Sequence, residues 1–564
     1  ITEMYNRSTE TVVPGDYLRL RNVMLEYRFP ARWTEKIAIG DRHLGGIMLK
    51  FQAQNLFVLA NKRLKGYDPE TVNYSTTGYG SLPLQRSFTF SACESYLEEM
   101  PQNKLMPTTT DDYDQLLNNA YITERVMPYL DILSDDVELI ASNHVLDGED
   151  EGDWQVAAYM WRDRHDLTMS GGDLAFEKLY ESIYYCNVVI ENIGEADGVE
   201  LNEENVERTR KNIEGEARCL RAYSYFYLVN LYAMAYDPAT CATDPGVPIN
   251  NSTAVEDKAY PRNTVAEVYE QIVSDLTKGI QLLKENPIEK GTKVKFNELS
   301  ATAFLARVYL YMQNWEDAIV CAKEVIASNR ALFDLQEYGD VLNMENNTVT
   351  EWNGTTVPGT DYLSVNNSNI LFVNGVCELY PALQAGSYTT FSVSREFAGQ
   401  YEEGDIRRFY FMVTYANIYT TRPSTKLTYA KSRYVWPNAM TSYITVRTGY
   451  GRFLRTEEMY LILAEAYAHQ NGGMGDAIGY LNTMRRVKFK TGEYVELKAS
   501  DFTQETLLDY IAVERRRELC FEGHRWFDLR RTTRPEMQRV GYNDEVAHLD
   551  QNDPRYVLQI PQKE

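Results

Sequence analysis

The chain has 564 residues, a formal net charge of −24 at pH 7 and a sequence pI near 4.9. This length predicts roughly two to four domains. The negative charge argues against nucleic acid or an anionic membrane surface as the main partner, because both would repel the protein. Residues 1–92 hold 12 Lys and Arg against 8 Asp and Glu, whereas the remainder holds 45 against 73. The composition therefore changes near residue 92.

The first 92 residues contain two segments in which apolar and polar residues alternate. One runs from Val23 to Phe29 within residues 16–30, and the other runs from Ile47 to Ala53 within residues 45–57. A period of two predicts β-strands with one apolar face. A third strand-like pattern follows residue 83 and is expected to end near Phe90. Periodicity alone fits a soluble sandwich as well as an outer-membrane barrel.

From about residue 112 the pattern becomes helical. Residues 214–236, 266–285, 297–328 and 455–470 place apolar residues three and four apart, which predicts amphipathic helices. The third segment breaks at Gln313 and Asn314, and Trp315 opens its second helix, as in a tetratricopeptide hairpin. Residues 453–486 repeat this scheme, so we predict helical repeats stacked into a scaffold.

Residues 329–450 are rich in Asn, Thr, Tyr and Gly and lack a helical period. They predict loops and short strands mounted on the helical scaffold. Ligand contacts usually lie on such loops, because a rigid scaffold positions them while their sequences remain free to vary. We therefore expect the ligand-binding region here.

Motifs for catalysis or metal binding are weak. The six histidines form no H-E-x-x-H motif, and the seven cysteines form no C-x-x-C pair. The acidic run 146–153 departs from an EF-hand, because Ala158 stands where the bidentate Glu belongs. We predict no catalytic residue, no metal and no cofactor. A glycosidase pair of carboxylates stays open, since that chemistry depends on their separation.

Aromatic residues are the best candidates for ligand contact, because sugar rings stack on the faces of Trp and Tyr. Trp315 and Trp526 belong to helical motifs and are expected in the core, and Trp33 belongs to the β segment. The charged run 514–518 is expected to pair within itself above Trp526. The remaining tryptophans are predicted loop platforms for a ligand, with small hydrophobic clusters as the alternative: Trp154, Trp161, Trp352 and Trp436.

Four ordered stretches in residues 1–92 carry a family resemblance. They read YLRLRNVMLEYRFP, FQAQNLFVL, KGYDPE and GYGSLPLQRSFTF. In that order they resemble the C-terminal strands and turns of SusC-type TonB-dependent outer-membrane transporters, which are transmembrane β-barrels. In that family the last strand ends at a C-terminal aromatic residue, whereas this chain continues into CESYLEE.

Residues 93–564 resemble the SusD/RagB family of outer-membrane nutrient-binding lipoproteins. The resemblance rests on CESYLEEMPQNKL, RTEEMYLILAEAY, LNTMRR, IAVERRRELCFEGHRWFDLRRT and YVLQIPQKE. It implies a mainly α lipoprotein on the exterior of the bacterial outer membrane that lids a SusC-type transporter and captures oligosaccharide. Peptide, as in RagB-type members, is the alternative ligand. A surface glycoside hydrolase is a third possibility, which predicts that a supplied glycan is cleaved.

The family also implies a lipidation site at Cys93, which follows the small residues Ser91 and Ala92. In the native lipoprotein this cysteine is the acylated N-terminus, and a triacylated cysteine anchors stably. In a continuous chain Cys93 has no free amine to acylate. We therefore predict that residues 1–92 are a segment of the partner transporter, numbered together with the lipoprotein.

Overall fold

A computed structural model describes most of the chain. Its contacts divide the chain into two compact units, Ile1–Met106 and Pro107–Glu564. The described residues are 17–28, 38–39, 42–43, 47–60, 87–94, 107–122, 126–139, 154–162, 174–198, 202–254, 260–336, 362–375, 391–414, 427–429, 433–435, 444–446, 452–541 and 544–561.

The first unit contains an antiparallel three-stranded sheet and a short two-stranded ladder. In the sheet, the strand predicted at residues 45–57 pairs on one side with the strand predicted at 16–30. Both predictions are confirmed. The strands described in this unit are β1 (Tyr17–Arg28), β2 (Ala38–Ile39), β3 (Arg42–His43), β4 (Ile47–Ala60) and β5 (Ser87–Glu94).

The register of β1 against β4 brings their apolar residues together. Val23 lies opposite Ala53, and Leu25 lies opposite Phe51. Directly opposed residues of an antiparallel pair share a face, so the alternation seen in sequence produces one apolar side. Ala53 is buried, whereas Leu25 is 64% exposed.

Strand β5 continues past the residue at which the sequence pattern predicts its end. Its backbone pairs with the first half of β4 as far as Glu94, and Cys93 lies opposite Met48. The expectation that the strand ends near Phe90 is therefore corrected. Backbone ladders do not depend on apolar alternation, so β4 can pair with Ser91 and Ala92 although their side chains are small.

The second unit is mainly helical. Helices predicted at 214–236, 266–285, 297–328 and 455–470 are confirmed, the first as the end of a longer helix. In chain order the described helices are α1 (Thr110–Asn118), α2 (Leu130–Leu133), α3 (Trp154–Tyr159), α4 (Leu174–Asn192), α5 (Glu203–Tyr232), α6 (Val265–Glu285), α7 (Glu298–Tyr311), α8 (Trp315–Ser328), α9 (Arg395–Ala398), α10 (Arg407–Phe411), α11 (Thr456–His469), α12 (Met474–Arg486), α13 (Gln504–Leu519) and α14 (Arg525–Arg531).

Helices α7 and α8 form a hairpin that breaks where the sequence predicts. Gln313 adopts a left-handed backbone with φ of 58°, which ends α7, and the Asn314 side chain caps α8 at Asp317. Helices α11 and α12 form a second hairpin. It packs on α8, where Lys323 lies 5.0 Å from the ring centre of Tyr467. The tetratricopeptide character of these hairpins stays a prediction.

The longest helix, α5, runs through the core and packs closely on α6. Residues 215–217 and 219–232 of α5 are buried. The contact is tight because glycines face each other, and a Cβ on Gly279 would lie 2.6 Å from Sγ of Cys219. Arg221 joins the same helices through a buried ion pair of 2.7 Å with Asp275. The close approach of the two helices and the buried ion pair together fix the position of α5 against α6.

The predicted loop region 329–450 contains short strands and two short helices, α9 and α10, in its described parts. Strand β7 (Ile370–Asn374) pairs with β13 (Arg452–Arg455), which leads directly into α11, and β8 (Phe391–Val393) pairs with β6 (Val137–Leu139). These ladders attach the region to the helical scaffold. The remaining strands are β6 (Val137–Leu139), β7 (Ile370–Asn374), β8 (Phe391–Val393), β9 (Met412–Thr414), β10 (Leu427–Tyr429), β11 (Arg433–Val435), β12 (Ile444–Val446), β13 (Arg452–Arg455), β14 (Met537–Val540) and β15 (Val546–Leu549).

No helix within the described ranges is both long and apolar enough to cross a bilayer. The cysteines whose surroundings are described are buried free thiols, as expected for Cys in apolar helices. They are Cys186, Cys219, Cys241, Cys321 and Cys520.

Candidate functional site

The predicted ligand-binding tryptophans fall in different settings. Trp154 begins helix α3 rather than lying in a loop, and its side chain lies outside the described residues. Trp352, Trp436 and the acidic run 146–153 also lie outside them. For Cys93 the structure describes only the backbone, as part of β5. These assignments stay predictions.

Trp161 lies in the turn that follows α3, and its side chain is part of the core, which corrects the prediction that its ring is a ligand platform. Its side chain is 1% exposed, and its indole Nε1 donates a 3.0 Å hydrogen bond to the carbonyl of Leu133. The guanidinium of Arg539 lies 4.2 Å from the ring centre. Burial lowers the pKa of Arg539 to about 10. A ring enclosed in this way offers no face to a ligand.

The charged run 514–518 is structural, as predicted, but its partners differ from the prediction. Within the run Arg517 pairs with Glu514 at 3.1 Å. The other strong contacts reach distant segments: Arg407 of α10 lies 2.7 Å from Glu514 and 3.1 Å from Glu518. The reason is that these positions face the core, where a charge needs a partner from a neighbouring element.

This network holds the carboxylate of Glu514 ionised. Burial alone raises the pKa of Glu514, but the guanidinium charges of Arg407, Arg485 and Arg517 outweigh it and lower that pKa to about 2. Trp526 is confirmed in the core nearby, 1% exposed and stacked on Tyr556 at 5.0 Å. The network joins the loop region to α13 and does not open a ligand site.

A cleft of about 450 Å³ lies beside Trp161 and is lined by three arginines. We call it the arginine cleft and define it by Arg162, Arg262 and Arg555 together with Tyr232 and Leu558. Its walls come from the end of α3, the end of α5, the segment before α6 and the C-terminal residues 554–560.

The three guanidinium groups are held by different partners. Arg162 pairs with Glu545 at 2.9 Å, and Arg555 pairs with Asp553 at 2.7 Å. The hydrogen bond from Arg555 lowers the pKa of Asp553 to about 2. Arg262 has no carboxylate partner in the described part of the chain. It donates to the carbonyls of Gly246, Tyr232 and Pro245, and burial lowers its pKa.

The arginine cleft can therefore recognise oxygen atoms. Guanidinium groups are pure donors with several N–H groups in a fixed plane, and they suit hydroxyl, carbonyl or carboxylate oxygens of a ligand. Sequence reasoning missed these residues because the three arginines are far apart in the sequence and only the fold brings them together. Among the described residues, no group of three His, Cys, Asp or Glu is arranged to hold a metal ion.

Two family models match the chain in order. Residues 95–310 match SusD-like_3, described as "Starch-binding associating with outer membrane", and residues 397–564 match SusD_RagB, the SusD family. The chain is 25% identical to SusD-like protein P2 of Formosa agariphila over 57% of this chain and 65% of that protein. It is also 25% identical to SusD-like protein P25 of the same organism, over 78% and 87%.

Solved structures show the same fold. A SusD superfamily protein from Bacteroides thetaiotaomicron superposes with a TM-score of 0.61 at 23% identity, covering 81% of this chain and 97% of that one. A SusD-like carbohydrate binding protein from Bacteroides vulgatus superposes with a TM-score of 0.57 at 23% identity, covering 81% and 96%. From these matches and this fold, the chain belongs to the SusD-like, SusD/RagB family.

Proposed function

We propose that the protein is a nutrient-binding lipoprotein of the bacterial outer-membrane surface that captures oligosaccharide and delivers it to a SusC-type TonB-dependent transporter. The observation that carries this proposal is the pair of family matches at both ends of the helical unit, one of which is described as starch-binding and associated with the outer membrane. Structural neighbours bear names such as carbohydrate binding and laminarin binding, which supports the same ligand class.

The arginine cleft supplies a place for such a ligand. Its volume of about 450 Å³ lies within the range of small-molecule sites, roughly 300–1,000 Å³. Because Glu545 and Asp553 neutralise two of the three arginines, the cleft does not require an anion, and hydroxyl oxygens of a neutral glycan can accept its hydrogen bonds. Trp154, Trp352 and Trp436 are the proposed stacking platforms that complete the binding surface.

Attachment to the membrane is proposed to depend on Cys93, with residues 1–92 belonging to the partner transporter. Mass spectrometry of the protein from native membranes distinguishes the two arrangements. An N-terminal acylated Cys93 is the expected result. An intact peptide that spans Phe90 to Glu94 would show a continuous fusion and contradict this assignment.

The ligand class is tested by calorimetry of the full chain with a panel of neutral oligosaccharides and of peptides. We expect binding to at least one oligosaccharide, and a loss of about tenfold or more in Arg162→Gln, because a hydrogen bond to a charged group contributes about 1.5–3 kcal/mol. Arg486→Gln is the matched control, since Arg486 forms an exposed ion pair with Glu496 outside the cleft.

Other results of these measurements would distinguish oligosaccharide binding from peptide binding and from glycan hydrolysis. Binding to peptides alone would contradict the oligosaccharide proposal and favour a RagB-type ligand. Chromatography of the same mixtures shows whether glycan is cleaved, and product formation that scales with enzyme concentration would indicate a glycoside hydrolase. Equal affinity of Arg162→Gln and Arg486→Gln would place the ligand elsewhere than the arginine cleft.

A further inference from the structure

A second cavity, of about 360 Å³, lies within the helical scaffold. It is formed where the α7–α8 hairpin meets α11, α13 and α14, and it shares no lining residue with the arginine cleft. We call it the hairpin cavity and define it by Trp315, His469, Asp509, Ala512 and Arg515.

One wall of the hairpin cavity is an aromatic pair. The rings of Trp315 and His469 stack with centroids 4.0 Å apart and planes inclined by 7°. Trp315 is half-buried and His469 is exposed, so part of the pair is accessible. Burial lowers the pKa of His469, which keeps the imidazole neutral at pH 7. Because the facing sides of the two rings cover each other, the wall offers the outer face of an uncharged aromatic stack.

The floor of the cavity holds a buried donor without an acceptor. Arg515 is 1% exposed, and its Nη1 has no hydrogen-bond partner among the described residues. Its other nitrogens lie near carboxylates: Nη2 is 3.3 Å from Asp528 and Nε is 3.7 Å from Glu465. A buried donor left unsatisfied costs about 1–3 kcal/mol, so a ligand acceptor that reached Nη1 after a small shift of the neighbouring side chains would stabilise the protein.

The charges around this donor are balanced. Arg531 donates to both carboxylates, at 2.8 Å to Glu465 and at 2.8 Å to Asp528. Two guanidinium groups thus face two carboxylates, and no net positive charge remains to attract an anion. The unsatisfied Nη1 of Arg515 is better matched by the hydroxyl oxygen of a neutral molecule than by a carboxylate, which these neighbours would repel.

We propose that the hairpin cavity is a second carbohydrate-binding site, which takes a single neutral pyranose residue. The C–H face of the sugar ring packs on the outer face of the Trp315–His469 stack, and one ring hydroxyl accepts a hydrogen bond from Arg515 after a small shift of the side chains that cover its Nη1. Asp509 and Thr533, both exposed at the cavity, accept or donate to the remaining hydroxyls. The site goes beyond the proposed function, because it is separate from the arginine cleft.

The test is saturation-transfer NMR on the full chain with the methyl pyranosides of glucose, galactose, mannose and N-acetylglucosamine. Methyl glucuronide and trialanine are the charged and peptide probes. Ala512→Phe fills the cavity from an exposed position of α13, and Ala327→Phe places the same ring on an exposed position of α8 outside the cavity.

We expect at least one neutral pyranoside to give a signal that falls fivefold or more in Ala512→Phe and persists in Ala327→Phe and in Arg162→Gln. His469→Ala, which removes half of the aromatic wall at an exposed position, is expected to weaken the same signal and serves if Ala512→Phe does not fold.

The proposal is overturned if no neutral pyranoside gives a signal that these cavity variants reduce. It is also overturned if only methyl glucuronide or only trialanine is sensitive to them. Failure of the proposed function has a separate signature, since oligosaccharide affinity would then be unchanged in Arg162→Gln whatever the result at the hairpin cavity.

Discussion

Nη1 of Arg455 donates a 2.9 Å hydrogen bond to Oε1 of Glu518, and both side chains are almost completely buried. Arg455 is the last residue of β13, and Glu518 lies in the last turn of α13. The same carboxylate also accepts from Arg407 of α10 and from the hydroxyl of Tyr362. One glutamate therefore joins the helical scaffold to the segments that carry the predicted binding loops.

Glu518→Gln is expected to lower the free energy of unfolding by about 3–5 kcal/mol, because it leaves buried guanidinium groups without their full countercharge. Urea denaturation measures this change. Glu496→Gln is the matched control, since Glu496 and Arg486 pair with each other while both are more than half exposed, and such pairs contribute about 0–1 kcal/mol. Equal destabilisation by the two variants would contradict a special role for the buried network.

Acid should destabilise the protein within a defined range of pH. The pKa of Glu514 is lowered from its model-peptide value near 4.5 to about 2, so its ionised form stabilises the fold above the unfolded-state pKa. That contribution is lost as the pH falls from about 4.5 through 2. The carboxylate of Asp135, which pairs with Arg525 and Arg516, is expected to lose its contribution in the same way as Glu514, because its pKa is also lowered to about 2.

The measurement is urea denaturation at several pH values between 7 and 2. Glu514→Gln is expected to be less stable at pH 7 and to lose less additional stability between pH 4.5 and 2 than the unmodified protein. Parallel curves for the two proteins over this range would show that Glu514 does not titrate in the folded state as described.

We expect the Trp→Ala variants to fall into two groups, those that weaken ligand binding and those that lower folding stability. Trp→Ala at Trp154, Trp352 or Trp436 is expected to weaken oligosaccharide binding by roughly 5- to 150-fold where the ring is a true platform, equivalent to about 1–3 kcal/mol, with little change in melting temperature. Trp161→Ala is expected to cost about 3–5 kcal/mol of folding stability, because the ring is buried.

Calorimetry and thermal melting of all four variants provide the check. If the three predicted platforms retain full affinity, or lose it only together with stability, the binding surface lies elsewhere. A Trp161→Ala variant with unchanged melting temperature would contradict the buried position of that ring.

Local sequence patterns were sufficient to predict the helices and hairpins. The residues that sequence reasoning misplaced are those whose environment is set by contacts with residues far along the chain. The break at Gln313 and the apolar spacing within residues 297–328 are properties of neighbouring residues. Trp161 is predicted as a loop platform, but its environment comes from Leu133 and from Arg539, which lie far from it along the chain. No local signal reveals such partners.

Long-range contacts also explain why sequence reasoning missed the arginine cleft and the partners of the charged run 514–518. Arg162, Arg262 and Arg555 are ordinary surface-type residues in sequence and converge only when α3, α5 and the C-terminal segment pack. Glu514 and Glu518 stand at helical spacing from other charges, which suggested pairing within α13. Their burial instead directs them to partners on other elements.

The contact between α5 and α6 makes a prediction about single glycines. In Gly279→Ala the new Cβ would lie 2.6 Å from Sγ of Cys219 and 2.9 Å from the carbonyl oxygen of Gly215, so the helices must separate. Overpacking of this kind typically costs 1–3 kcal/mol. Gly475→Ala in α12 meets no atom within 4 Å and is expected to raise stability by about 0.4–1 kcal/mol through the lower entropy of the unfolded chain.

A double-mutant cycle that combines Gly279→Ala with Cys219→Ala shows how much of the loss of stability comes from the sulfur of Cys219. Removing the sulfur relieves one of the two close approaches, so Cys219→Ala should cost less in the Gly279→Ala background than in the unmodified protein, while the backbone oxygen of Gly215 keeps the rescue incomplete. Urea denaturation of the four proteins gives the coupling free energy. Strict additivity of the two substitutions would mean that the helices separate without regard to Cys219, and the described packing of α5 on α6 would then be wrong at this point.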